Sequence, residues 1–260
     1  MNINKINCLN KIKIILLIFL YSFIFIKILN KIKDENTKFD KNINYINYES
    51  NIISNKIKKY AGWMLWNEKQ FYFINGIIRK YRPKNCLEVG VARGGSSILI
   101  LNSIKDIKNS FLVSLDLNKQ LYIEKKYKTG YRVNQYFPEL LTNWHLYTGE
   151  MPHIFLQKLN IKFDFVFLDT AHISPGEILN IIEILPFLNE NAIIILHDIT
   201  WQFIRRQMYF TTTSIILMSC LRGDKIIIKN EEGIENIGAI YLYKNQQKYY
   251  LLKFIVLFKF

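Results

Sequence analysis

The sequence predicts an α/β fold, a doubly wound and mostly parallel sheet of seven strands, preceded by an N-terminal hydrophobic helix. Three observations predict it. Beyond Pro83, short apolar runs alternate with stretches of helical periodicity. The runs are continuously apolar, as strands buried on both faces of a parallel sheet are. Polar and acidic residues collect where those runs end, and open α/β sheets bind ligands at the carboxyl ends of their strands.

Taken in order, the first element is the run Ile14–Ile26, IILLIFLYSFIFI, apolar or aromatic except for Ser22. A membrane-spanning helix needs ~20 mostly apolar residues. Extending the run to Ile12 and Leu29 takes in Lys13 and Lys27, whose side chains can snorkel. No small-residue cleavage site follows, so an uncleaved anchor is expected. Lysines flank both ends, so charge does not set the orientation. Residues 30–50 are polar and irregular and read as a linker. Two units result: residues 1–50, anchor and linker, and residues 51–260, the folded domain.

From Asn51 onward Ile52, Ile53, Ile57, Tyr60 and the stretch Trp63–Ile78 recur at helical spacing, and Pro83 ends that region. CLEVG (86–90) is a strand ending in glycine. A helix opens at 94–104, with Ser96 or Ser97 able to cap it. FLVSLDL (111–117), WHLYTG (144–149) and FDFVFLD (163–169) are the next strands. A helix follows from Pro175 to Leu185. NAIIILHD (191–198), DKIIIK (224–229) and IGAIYLYK (237–244) complete the set of seven.

Composition narrows the function. Hydrophobic residues make up 50% of the 260, which excludes disorder for most of the chain. Cys8, Cys86 and Cys220 are scattered, which excludes a disulfide scaffold and a zinc ribbon. Four histidines do not make a multi-histidine metal centre. Half of the net charge of +14 lies in residues 1–60, within an Ile-, Asn- and Lys-rich composition, so nucleic-acid binding is not expected.

The chemistry lies at the strand ends. In LEVGVARGGSS (87–97) Gly90 permits a tight turn, and Gly94 and Gly95 permit close approach to the main chain. Position 92 is Ala, so the loop is not GxGxxG, and a dinucleotide-dependent redox enzyme is disfavoured. Asp116 ends the next strand. It is placed either to accept from both hydroxyls of a ribose or to cap the following turn. Asp169, His172, His197 and Asp198 converge above adjacent strands, and such a set can bind a divalent cation or share acid–base work.

With these residues the chain resembles a class I S-adenosylmethionine-dependent methyltransferase, which has a Rossmann-like sheet. The runs LEVGVARGGSS, VSLDLN, FDFVFLDTAH with PGEILNIIEILPFL, and AIIILHDI carry the resemblance, from about Ile52 to Leu242. The most similar branch contains cephalosporin-hydroxylase-like and macrocin- or rhamnosyl-type O-methyltransferases. The resemblance implies that Glu88, Gly90, Gly94 and Gly95 lie under the methionine part of the cofactor. It implies that Asp116 holds the ribose and that Gly149 and Glu150 contact the adenine. It implies that Asp169 lies near the sulfonium and serves catalysis, and that Asp169 and Asp198 hold a metal ion such as Mg²⁺ in metal-dependent members; without a metal, His172 or His197 can act as general base, since histidine titrates near neutrality. One departure is visible: many relatives read Asp-Gly-Asp-His where this chain has Asp169-Thr170-Ala171-His172, so one carboxylate is missing.

The expected function is therefore methylation of a hydroxyl on a sugar, glycan or similar small molecule. The alternative is a non-catalytic nucleoside-binding or assembly protein on the same fold. The basic, tyrosine-rich stretch 118–143 is a candidate substrate cover, or simply solvated surface. The membrane is reached through the N-terminal helix, and the catalytic domain faces the cytoplasm, where the cofactor is made. A homo-oligomer is compatible with all of this. If the anchor is real, full-length protein fractionates with membranes and a chain beginning at Asn51 does not. Release of the full-length protein by high salt alone would reduce the segment to a charge-driven contact.

Overall fold

A computed structural model gives the structure of the protein. It describes residues 53–61, 68–170, 176–200, 218, 221, 223–230 and 233–242. All of them lie in the unit Asp40–Phe260. The hydrophobic helix expected over 14–26 and the linker over 30–50 lie outside the described residues. Among the described residues no helix is long and apolar enough to cross a membrane.

Helices α1 (Asn55–Ala61) and α2 (Glu68–Tyr81) come first. α2 stops two residues before Pro83, since the residue ahead of a proline avoids helical backbone angles. The alternating part runs β1 (Asn85–Val89), α3 (Gly95–Ile104), β2 (Phe111–Asp116), α4 (Tyr131–Tyr136), β3 (Trp144–Thr148), α5 (Pro152–Leu159) and β4 (Phe163–Leu168). It continues with α6 (Gly176–Ile184), β5 (Leu188–His197), β6 (Gly223–Asn230) and β7 (Gly233–Leu242). α5 was not legible as a helix: PHIFLQKL is short, and its apolar stripe buries only Leu156 fully.

All seven strands form one sheet in the order β3-β2-β1-β4-β5-β7-β6. The first five pair in parallel. β7 is antiparallel to both β5 and β6, so the sheet is mixed. The reason is the connection: two residues separate β6 from β7, and so short a link makes a hairpin. β7 thereby slips between β5 and β6, and β6 keeps the direction of the other five.

Side chains alternate across the strands into two cores. Cys86, Leu112, Phe165, Phe167, Ile193 and Ile195 pack on the face covered by α1, α2 and α3. Leu87, Val113, Val166, Leu168 and Ile194 pack on the other, with Leu156 of α5 and Ile178 and Ile181 of α6. The double winding read from the continuous apolar runs is thus present. Each fully buried Phe or Leu contributes about 1.5–3 kcal/mol.

One polar knot sits inside this apolar frame. Glu88 of β1 is fully buried. Its carboxylate accepts from the hydroxyls of Ser96, of Ser97 at 2.6 Å and of Ser114 on β2 at 2.5 Å. Trp144 of β3 in turn donates its indole N–H to Ser114 Oγ at 2.8 Å. β1, β2, β3 and the start of α3 are thus tied together. The serines do not cap α3, as the sequence had suggested. The N-cap is Gly94, in a left-handed conformation with no side-chain cap.

Burial pushes the Glu88 carboxyl up to about 7, against the three hydroxyl bonds that favour its ionised form. The folded state therefore holds this proton more tightly than the unfolded chain does. The resulting stability is complete below the unfolded value of about 4.5 and is lost as pH rises through about 7. Denaturant unfolding of wild type and Glu88→Gln at pH 4.5 and 7.5 checks this. The difference in midpoint, wild type minus variant, should fall with pH, and a difference constant with pH would show that the carboxyl is not held protonated.

Candidate functional site

The strand ends form one row. Val89 pairs with Leu115 on one side and Leu168 on the other, Asp116 with Thr148, and Leu168 with Leu196. Gly90, Asp116, Asp169 and His197 therefore stand at the carboxyl edge of β1, β2, β4 and β5. The strand order reverses between β1 and β4, and crevices for ligands open at such switch points.

Gly90 has φ +90°, and a Cβ there would lie 1.8 Å from the carbonyl oxygen of Asp169. The loop crosses so close to β4 that only glycine fits. Gly94 and Gly95 also admit close approach, but by the protein itself. A Cβ on Gly95 would meet the Ala61 carbonyl oxygen at 2.2 Å, and one on Gly94 would meet Val133 and Gly130. Ala92, where a GxGxxG loop has its second glycine, takes a left-handed φ of 46°.

Asp116 is half-buried and makes the contacts of a turn cap. Its Oδ2 accepts from the backbone N–H groups of Val91 at 2.9 Å and Ala92 at 3.1 Å, and its Oδ1 from Asn118 at 2.8 Å. It also lines a cleft with Ala92, Arg93, Asn118 and the residues after it. The outer wall is a small hairpin in which Gln120 bridges Lys128 and Glu124 pairs with Arg93 at 2.8 Å. The stretch 118–143 is thus neither one surface helix nor a free flap: it contains this hairpin, α4 and a 3-10 turn at Pro138–Asn143.

Gly149 and Glu150 are exposed beyond β3. Gly149 donates its N–H to Asp116 O at 3.0 Å, and the stem of Lys119 lies across the face where a Cβ would stand. Glu150 pairs with Lys158 of α5 at 3.4 Å. The glycine reaches the Asp116 end of the row, whereas the glutamate points its charge to the neighbouring helix.

Asp169, His197 and Asp198 come together, and one ligand atom of each lies within 4.8 Å of the other two. His197 Nδ1 is 3.4 Å from Asp169 Oδ1 and 3.4 Å from Asp198 Oδ1. Both His197 and Asp198 are buried, while the Asp169 side chain is 24% exposed and faces outward. Burial acts against a charge on His197, but the Asp169 carboxylate and bonds to both acids outweigh it and push the imidazole up to about 10. Both acids thus favour the charged form of the ring. His172 lies outside the described residues, as does Ala171.

Two supporting residues escaped the sequence. Gln70 of α2 is buried and places Oε1 3.2 Å from His197 Nε2. Asn236 of β7 donates its amide to Asp198 Oδ1, accepts the Asp198 N–H on its backbone oxygen at 2.9 Å, and accepts Thr200 N–H and Oγ1–H on Oδ1. It holds Asp198 in a left-handed turn with φ 56°. Gln70 leaves a trace as a polar break in a buried helical run. Asn236 leaves none, because only the β7 hairpin brings it to β5.

The row thus carries an acid at the end of β2 and a carboxylate–imidazole corner at the ends of β4 and β5. Residues 87–199, from β1 to the turn after β5, match a family model described as a methyltransferase domain. Solved structures share the fold. A methyltransferase of Podospora anserina in its SAH-bound form aligns with TM-score 0.55 and 17% identity, over 74% of this chain and 89% of that one. TomG of Streptomyces achromogenes, an O-methyltransferase of tomaymycin synthesis in complex with SAM, aligns with TM-score 0.53 and 14% identity, over 73% and 90%. The mycinamycin methyltransferase MycE, solved with Mg, SAH and mycinamycin VI, aligns with TM-score 0.50 and 15% identity, over 75% of this chain and 55% of that one. No curated protein matches the chain.

The Gly90 contact has a direct consequence. Gly90→Ala adds a left-handed penalty of ~1–2 kcal/mol and a clash with β4 backbone, so a loss of more than about 2 kcal/mol in denaturant unfolding is expected. A loss under about 0.5 kcal/mol would show that the β1 loop does not press on Asp169.

Proposed function

We propose that this chain is an S-adenosylmethionine-dependent methyltransferase acting on a hydroxyl oxygen of a sugar, glycan or similar small molecule. The carrying observation is the row at the switch point, with the Asp116 carboxylate lining a cleft beside the glycine turn. The family match over 87–199 supports it, as do fold neighbours solved with SAM or SAH. One of them, MycE, was solved with Mg, SAH and mycinamycin VI, which supports a small molecule as the substrate class.

When bound, the cofactor supplies a methyl group on a sulfonium, and a divalent cation lowers the pKa of the acceptor hydroxyl. The chain's own task is alignment. Asp116 receives the ribose hydroxyls while its other lone pairs keep the Val91–Ala92 turn in place. Asp169 and Asp198, with His197 Nδ1 between them, fit a cation because carboxylate and imidazole donors converge there. Asp169 is the exposed member of the corner and meets the acceptor. As C–O forms and C–S breaks, S-adenosylhomocysteine would be the leaving group and the hydroxyl proton would pass to a carboxylate oxygen of Asp169. An N-terminal anchor over residues 14–26 belongs to the same proposal, with the catalytic unit on the cytoplasmic side and a membrane-borne acceptor within reach.

Calorimetry with S-adenosylmethionine tests the cofactor. Asp116→Ala should weaken binding by ~1.5–3 kcal/mol, roughly ten- to hundredfold; unchanged affinity would leave Asp116 as a turn cap. A double Asp169→Asn, Asp198→Asn protein should bind cofactor and fail to methylate. Normal turnover in that protein would move the chemistry elsewhere.

A further inference from the structure

The corner of Asp169, His197 and Asp198 is built differently from an all-oxygen Mg²⁺ site. Its central donor is an imidazole nitrogen, and that nitrogen is aimed by a residue from the far side of the core. Gln70 is 2% exposed and sits on α2 among Phe71, Phe73 and Ile74. A buried amide in an apolar helix face is unfavourable unless it is hydrogen-bonded. Its Oε1 lies 3.2 Å from His197 Nε2. A carbonyl oxygen only accepts, so Nε2 carries a proton. Turning the ring over would break this contact and take Nδ1 away from the acids. With the contact made, Nδ1 faces Asp169 and Asp198, 3.4 Å from each.

We propose that Gln70 is a positioning residue for His197, and that it makes this corner a nitrogen–oxygen–oxygen site taking a first-row transition dication in preference to Mg²⁺. This deepens the methyltransferase reading by naming the class of cation, and rests on that reading only for what the cation does to the acceptor. Metal-ligating histidines characteristically donate their second ring N–H to a carbonyl or carboxylate, which fixes the ligating nitrogen. Imidazole suits the later first-row dications, whereas Mg²⁺ demands octahedral oxygen and gives up its waters reluctantly. Asn236 performs the matching task for Asp198, through its amide and the turn it holds.

The test uses Co²⁺ and Mg²⁺ as probes on the full-length protein, followed by calorimetry and by the visible spectrum of bound Co²⁺. Wild type should bind Co²⁺ at least tenfold more tightly than Mg²⁺. Gln70→Leu should lower Co²⁺ affinity ten- to hundredfold and alter the spectrum, while Mg²⁺ affinity stays within about twofold. Gln70→Glu, which keeps an acceptor, should restore Co²⁺ binding. His197→Asp should lose most of the preference and give an all-oxygen Co²⁺ spectrum. Should Gln70→Leu not fold, wild type, Gln70→Glu and His197→Asp still decide. Unaltered Co²⁺ affinity in Gln70→Leu, or the wild-type preference kept in His197→Asp, overturns the proposal. Cofactor binding is measured in the same samples. If S-adenosylmethionine binds but neither cation does, the proposal alone is overturned; if Co²⁺ binds as expected but S-adenosylmethionine does not, the methyltransferase reading alone is overturned.

Discussion

A carboxylate with no access to solvent organises the ligand-facing end of this sheet. Glu88 collects hydroxyls from Ser96, Ser97 and Ser114. A buried carboxylate without partners would be far too costly to keep, so the three serines and the glutamate must be assembled together. Assembly fixes the angle between β1 and α3 and draws in β2, and Trp144 joins β3 to the same knot. The glycine turn over Asp116 lies between the two elements that this knot joins, β1 and α3. Glu88 thus supports the start of α3 and the end of β2 from beneath the loop.

The row of strand ends follows from register. Each parallel pair places the last residue of one strand beside the last residue of the next, so Gly90, Asp116, Asp169 and His197 line up without any contact among their side chains being required. The close passage of Gly90 over the Asp169 carbonyl locks β1 to β4 where the strand order reverses. That is where an α/β sheet opens a crevice, and the cleft beside Asp116 lies on one side of it.

On the other side, charge and burial oppose each other. His197 is buried, which disfavours an imidazolium, yet two carboxylates flank it and win. A cation at the same place would satisfy both acids and release the ring proton. The corner is therefore suited either to hold a proton or to hold a metal ion, and Asp169 is its member most open to solvent. Its other faces are closed by α2 through Gln70 and by β7 through Asn236.

By itself the sequence determined the layered α/β architecture, because continuous apolar runs can be buried only between two layers of helix. It determined the position of Gly90, Asp116, Asp169, His197 and Asp198 at strand ends, because those runs stop there. The antiparallel β7 was not determined in this way: the apolar runs at 224–229 and 237–244 stand seven residues apart, and only the structure extends both strands to a two-residue link. Tertiary structure decided what those residues do. Ser96 and Ser97 lie at a helix start and have the chemistry of caps, yet a buried carboxylate from β1 outcompetes the helix end for their hydroxyls. Gly94 and Gly95 have no side chain, and Ala61 and Gly130 stand close to where a Cβ would lie. Gln70 and Asn236 are 127 and 39 residues from His197 along the chain. Local patterning carries no information about partners that distant, and only packing α2 and β7 against β5 brings them to the site.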